Sequence, residues 1–249
     1  MRTTIAVMVA VIALTGCLAT SREKPESFYD YQLLSPNHHA LSIHALPKDL
    51  IQADVLLIGE WHTHSGIHRF QTDLLKALTK QKPSFALSME QFTRDSQPTI
   101  DAYLAGEIGE QTLILDGNAW PNYASDYRPL IEYAKKQNVE VIAANAPKPI
   151  VRCIGKLGLE YLDTLDKKER KFVAAHIDTT DSAYKQRFMA SMHHGNLAQT
   201  ERQYAAQATW DETMAESIVN YLDVNPNKQV IHIAGKFHTQ EGLGIKASI

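Results

Sequence analysis

Four short apolar runs constrain this chain more than any other feature. They are "ADVLLIG" (53–59), "SFALSME" (84–90), "VEVIAANAP" (139–147) and "KQVIHIAGKFH" (228–238). Each is too short for a buried helix and has the near-continuous apolar character of a strand covered on both faces. Between them the periodicity changes to that of helices. In "GIHRFQTDLLKALTKQ", Ile67, Phe70, Leu74, Leu75 and Leu78 fall on one face, with Ser65 placed to cap the start. A helical pair is expected over 98–115, and "SDYRPLIEYAKKQN" (125–138) predicts another helix, capped by Ser125 and tolerating Pro129 in its first turn. Buried strands alternating with amphipathic helices predict an α/β fold built on a parallel-type β-sheet flanked by helices.

The third and fourth runs are about 80 residues apart, far more than one crossover needs. This interval reads as helices: "GKLGLEYLDTL", "KKERKFVAAHI", "AYKQRFMASMHHGN" and a longer one through "WDETMAESIVNYL", where Thr209 and Glu212 form a capping box. A small helical subdomain, inserted at about 150–208 over the carboxyl edge of the sheet, is the expected arrangement.

The ends of the strands carry the chemistry. The first run gives way to Glu60, His62 and His64, the second to Glu90 and Gln91, the third to Asn145, and the fourth to Gly235 and His238. Parallel sheets bind ligands just beyond the carboxyl ends of their strands. Helices that precede a parallel strand begin at that same edge. Trp120, Tyr123, Tyr127 and Trp210 are therefore expected to form an aromatic rim around Glu60, His62, Glu90 and His238. Each has a plainer role open to it. His64 and His68 suit a helix cap or solvent, His193 and His194 a surface, Tyr127 packing on Leu130 and Ile131, and Trp210 the core. Buried ionisable groups persist chiefly when paired or liganded, which favours a site at Glu60, His62 and His238.

The amino terminus predicts export. Met1-Arg2 leads into "IAVMVAVIAL" (5–14), too short to span a bilayer permanently, and then "LTGC". That ending resembles the bacterial lipobox, which implies a signal peptide over 1–17, lipidation of Cys17 and a membrane anchor. Residues 18–27 read as a tether and 28–249 as the folded domain. Leu18 stands where an inner-membrane retention signal would place Asp, so an outer-membrane lipoprotein facing the periplasm is expected. Cys153 is the only other cysteine and reads as an inert buried thiol. A net charge of −3 supplies no electrostatic reason for a nucleic-acid partner.

Four blocks carry a family resemblance: "LLIGEWHTHSGIHRFQTDLL", "ALSMEQFTRDSQPTIDAYLAG", "WPNYASDYRPLIEYAKKQNVEVIAANAPKPIVR" and "AQATWDETMAESI". In this order, and with the GExH core of the first, the chain resembles the ChaN-like haem-binding uptake lipoproteins of the Tiki/TraB/erythromycin-esterase assemblage. The resemblance implies a binding protein for haem or iron uptake rather than an enzyme. It also implies haem at a homodimer interface with a tyrosine on the iron, Tyr127 first and Tyr123 second, and an outer-membrane haem receptor as a neighbour. Phenolate is a hard anionic donor that favours ferric iron. The Tiki branch implies an alternative, a hydrolase holding Mn, Co or Zn through Glu60, His62, Glu90 and His238. The esterase branch implies a further one, with histidine as general base and no metal.

Overall fold

The computed structural model describes residues 25–81, 84–192 and 196–249. Cys17 and the signal segment, and His193 and His194, lie outside the described residues. Four strands, β1 (Val55–Glu60), β2 (Phe85–Thr93), β3 (Glu140–Asn145) and β4 (Gln229–Gly235), form one parallel sheet in the order β1-β4-β2-β3. The two central strands are the most continuously buried, although the edge strands carry the longer unbroken apolar runs in sequence. β4 is buried throughout and β2 at all but its last residue, whereas the edge strands β1 and β3 keep half-exposed positions.

Eleven α-helices, with short 3-10 and π-helical turns between them, complete the described chain. They are α1 (Lys48–Gln52), α2 (Ser65–Gln81), α3 (Gln97–Leu104), α4 (Glu110–Asp116), α5 (Arg128–Gln137), α6 (Lys148–Leu157), α7 (Lys167–Arg170), α8 (Ala183–Ser191), α9 (Leu197–Val224), α10 (Lys236–Thr239) and α11 (Ile245–Ser248). The twofold alternation of β4 separates the layers. Ile231 and Ile233 face a core made with Leu74, Leu75 and Leu78 of α2 and Leu130 and Ile131 of α5, while Val230 and Ala234 face Met214, Ala215 and Ile218 of α9. Leu75 and Leu78 are fully buried, each contributing about 2 kcal/mol of apolar transfer. Among the described residues no helix is long and apolar enough to cross a membrane.

Local details depart from the sequence reading where tertiary contacts override local signals. α2 is capped by His64, whose Nδ1 accepts from Ile67 N–H at 3.3 Å, and Ser65 is already helical. Ser125 lies in a π-helical turn (Tyr123–Tyr127), donates to the Asn122 carbonyl, and does not cap α5. Thr209 is in mid-helix and donates to the Ala205 carbonyl, so the expected Thr209/Glu212 capping box is absent. α9 is one 28-residue helix packed on α6 and β3, while "KKERKFVAAHI" is helical only over α7. The expected fourth strand stops at Gly235, and His238 belongs to the one-turn α10. That early stop turns the His238 side chain back over the sheet edge.

Candidate functional site

Register brings the strand ends together. Glu60 is paired with Gly235 across β1 and β4, and Glu90 follows the Met89–Ile233 pair across β2 and β4. Asn145, the last residue of β3, donates its amide to the Glu90 carbonyl at 3.1 Å. All four strand ends named in the sequence therefore meet at one edge.

Glu60 is 2% exposed, yet its carboxylate accepts four hydrogen bonds. Oε1 receives Tyr127 Oη at 2.6 Å, His62 Nδ1 at 2.9 Å and Gln91 Nε2 at 3.0 Å, and Oε2 receives Gln71 Nε2 at 2.6 Å. Burial opposes its ionisation, but the donors from His62, Gln71 and Tyr127 outweigh it and hold the carboxyl below its usual range. His62 is raised in turn, chiefly by its bond to Glu60. His68 supports the cluster from α2: its Nε2 is 3.1 Å from the His62 carbonyl and its Nδ1 3.1 Å from Gln71 Oε1.

A second dyad stands beside the first. His238 Nδ1 is 2.8 Å from Asp211 Oδ1, and Asp211 Oδ2 accepts from Tyr184 Oη at 2.7 Å and from Gln207 Nε2 at 3.3 Å. Burial of His238 works against its charge, but Asp211, and then Glu90, push its pKa up to about 9. The two dyads match in construction: tyrosine to carboxylate to imidazole Nδ1, as Tyr127–Glu60–His62 and Tyr184–Asp211–His238.

Glu90 lies between them. Its Oε2 accepts from the Gly235 N–H at 2.5 Å, and its Oε1 is 3.7 Å from His238 Nε2. Gly235 makes the approach possible. A methyl group there would sit 2.9 Å from His62 Nε2 and 3.5 Å from Glu90 Oε2. With each Nδ1 fixed on a buried carboxylate, the free edge of each imidazole is turned towards the space around Glu90. Such a set can move protons or accept a ligand.

The aromatic residues divide. Trp120 is at the rim, with its ring centroid 4.9 Å from that of His62 and the Lys148 Nζ 4.8 Å above its face. Trp61, which the sequence reading passed over, is 57% exposed, stacks on His64 and carries Lys236 over its ring. Trp210 is half-buried, with its ring edge-on to His238 at 6.3 Å. Tyr127 and Tyr123 are not rim residues. They are 0% and 2% exposed, Tyr127 donates to Glu60, and the Tyr123 hydroxyl is buried without a partner. Burial, and for Tyr127 also the Glu60 charge, push both phenols up, away from ionisation. In this arrangement the Tyr127 phenol is held protonated against the Glu60 carboxylate.

The expected four-residue metal set is also changed. Glu60 has its oxygens filled by hydrogen-bond donors, and among the described residues no group of three or more His, Cys, Asp or Glu is arranged to hold a metal ion. Asp211, Tyr184, Gln71 and Gln207 escaped the sequence reading. Gln71 left a faint signal, as a polar residue in the apolar stripe of α2. Asp211 follows Trp210 on a helix whose register with the sheet no local pattern reveals.

A family model described as "Haem-binding uptake, Tiki superfamily, ChaN" matches residues 46–249. A solved structure of ChaN from Campylobacter jejuni, described as showing cofacial haem binding, matches with a TM-score of 0.63 at 17% identity, over 85% of this chain and 82% of that one. At this identity the likeness is one of fold. No curated protein matches the chain.

Proposed function

This chain belongs to the haem-binding uptake (ChaN) family of the Tiki superfamily, and from that premise we propose that it binds haem on behalf of haem or iron uptake. The match across residues 46–249, with the GExH segment and the sheet edge inside it, is the observation that carries the reading. Haem would supply an open iron coordination chemistry; the chain supplies a shaped, partly apolar seat and holds nearby protons in place. The half-exposed His62 and the adjoining Trp120 are suited to contact a porphyrin. Tyr127 is not, because ligating iron would strip Glu60 of a donor and expose a buried ring.

The lipobox at Cys17 supports a lipid anchor, and with Leu18 behind it the outer membrane facing the periplasm is the proposed location. Two copies sharing haem is the proposed assembly, and an outer-membrane haem receptor the proposed neighbour. The test is purified protein titrated with haem. A saturable Soret shift, with a change from one copy to two on a sizing column, is expected. Haem that stays in the free or aggregated form would reject the reading.

One observation favours a second reading. His62 and His238, each fixed by a buried carboxylate and each directed towards Glu90, are arranged as a proton-transfer centre for hydrolysis without a metal at Glu60, in which the raised imidazoles would donate protons as general acids. Turnover of peptide or ester substrates that disappears in both His62→Ala and His238→Ala would establish it.

A further inference from the structure

A cleft of about 540 Å³ opens beside the strand ends, between the loop that follows α4 and the start of α6. Its volume is within the range of small-molecule and cofactor sites. Ile114, Leu115, Ala119, Trp120, Pro147 and Pro149 make most of its wall, so it favours a ligand with a broad apolar body. Leu115 is 71% exposed, an apolar rim with nothing packed over it.

Lys148 is the one cation of this lining, and its Nζ stands 4.8 Å above the Trp120 ring. No carboxylate lies within ion-pair distance of Lys148 among the described residues. Asp95, the only carboxylate of the lining, already accepts from Thr93 Oγ1 at 2.6 Å. On the inner wall, Gln91 is 2% exposed and gives its Nε2 to Glu60, which leaves its buried Oε1 without a donor. Burial draws the Lys148 pKa down by more than the charge of Glu90 raises it, so an anion brought to the ammonium would be favoured. An apolar plane with an anionic edge satisfies both halves of this cleft.

We propose that this cleft seats the porphyrin, with Lys148 pairing a propionate carboxylate and Trp120 and Leu115 covering the ring. The assignment rests on the haem-binding reading and adds to it a position and an orientation. None of the lining residues is His, Tyr, Cys or Met, so the cleft holds the porphyrin through its carboxylate and hydrocarbon and leaves the iron ligand to a residue outside it. The same cleft should therefore take an iron-free porphyrin.

The test titrates the full chain, as wild type, Lys148→Ala, Lys148→Arg and Leu115→Asp, with haem, protoporphyrin IX and protoporphyrin IX dimethyl ester. Absorbance and tryptophan quenching are the readouts. Lys148→Ala should weaken haem and protoporphyrin IX about tenfold, as loss of one charge-assisted contact does. Lys148→Arg should retain most of the affinity. The dimethyl ester, with no carboxylate to pair, should bind wild type and Lys148→Ala alike, and Leu115→Asp should weaken all three ligands. Haem that binds wild type while remaining indifferent to Lys148 and Leu115 overturns the cleft assignment and leaves haem binding intact. Haem that fails to bind wild type overturns both.

Discussion

The hydroxyl of Tyr127 donates to Glu60 Oε1 at 2.6 Å, so the tyrosine that the family resemblance puts first as an iron ligand holds a buried carboxylate in this structure. Glu60 in turn holds His62. The residues of the GExH segment and of the loop before α5 thus act as one hydrogen-bonded unit.

Tyr127→Phe should leave the ring packed and remove one donor from Glu60. The expected cost is about 1–2 kcal/mol, read as a few degrees in the thermal midpoint. Any haem complex should keep its Soret position, because no iron ligand is lost. Loss of a high-spin charge-transfer band in this variant alone would instead return Tyr127 to the iron.

The Asp211–His238 pair should give the protein a pH-dependent stability. His238 has a folded pKa of about 9, above the value of 6.5 ordinary for the side chain. A raised base stabilises fully below the unfolded value, and that contribution fades as pH rises through the folded one. The thermal midpoint should therefore fall between about pH 7 and pH 10. Asp211→Asn should cost about 3 kcal/mol near neutrality, since it leaves a buried imidazole without its carboxylate, and should flatten that slope. An undiminished slope in the variant would assign it to other groups.

Gly235→Ala tests the closeness of His62 and Glu90. The backbone at Gly235, with φ of −54°, accepts an alanine, so any effect is steric. The added methyl should push the half-exposed His62 ring away from Glu90, with little loss of stability. The His62 ring resonances and their titration should shift while those of buried His232 stay in place. An unmoved His62 would mean that the ring is freer than its contacts indicate.

Cys17→Ala should leave the protein soluble in the periplasmic fraction, because acyl chains on that cysteine are the proposed attachment. Recovery of the variant in the membrane pellet would place the anchor elsewhere.

The apolar runs by themselves determined a parallel sheet with helices on both faces, because a strand buried on both sides is apolar at neighbouring positions, as Phe85, Ala86 and Leu87 of β2 and Val230 and Ile231 of β4 are. The buried Ser88 and His232 between such positions pair with each other. They also determined that Glu60, Glu90, Asn145 and His238 would share an edge, since parallel strands all end on the same side. Tertiary structure decided which partner each polar group took. Asp211 is 27 residues from His238 and Tyr127 is 67 from Glu60, and both pairs depend on how α9 and α5 sit on the sheet. No local periodicity encodes that placement. A tyrosine reads the same in sequence whether its oxygen reaches solvent or a buried carboxylate, and only packing settles which group receives its proton.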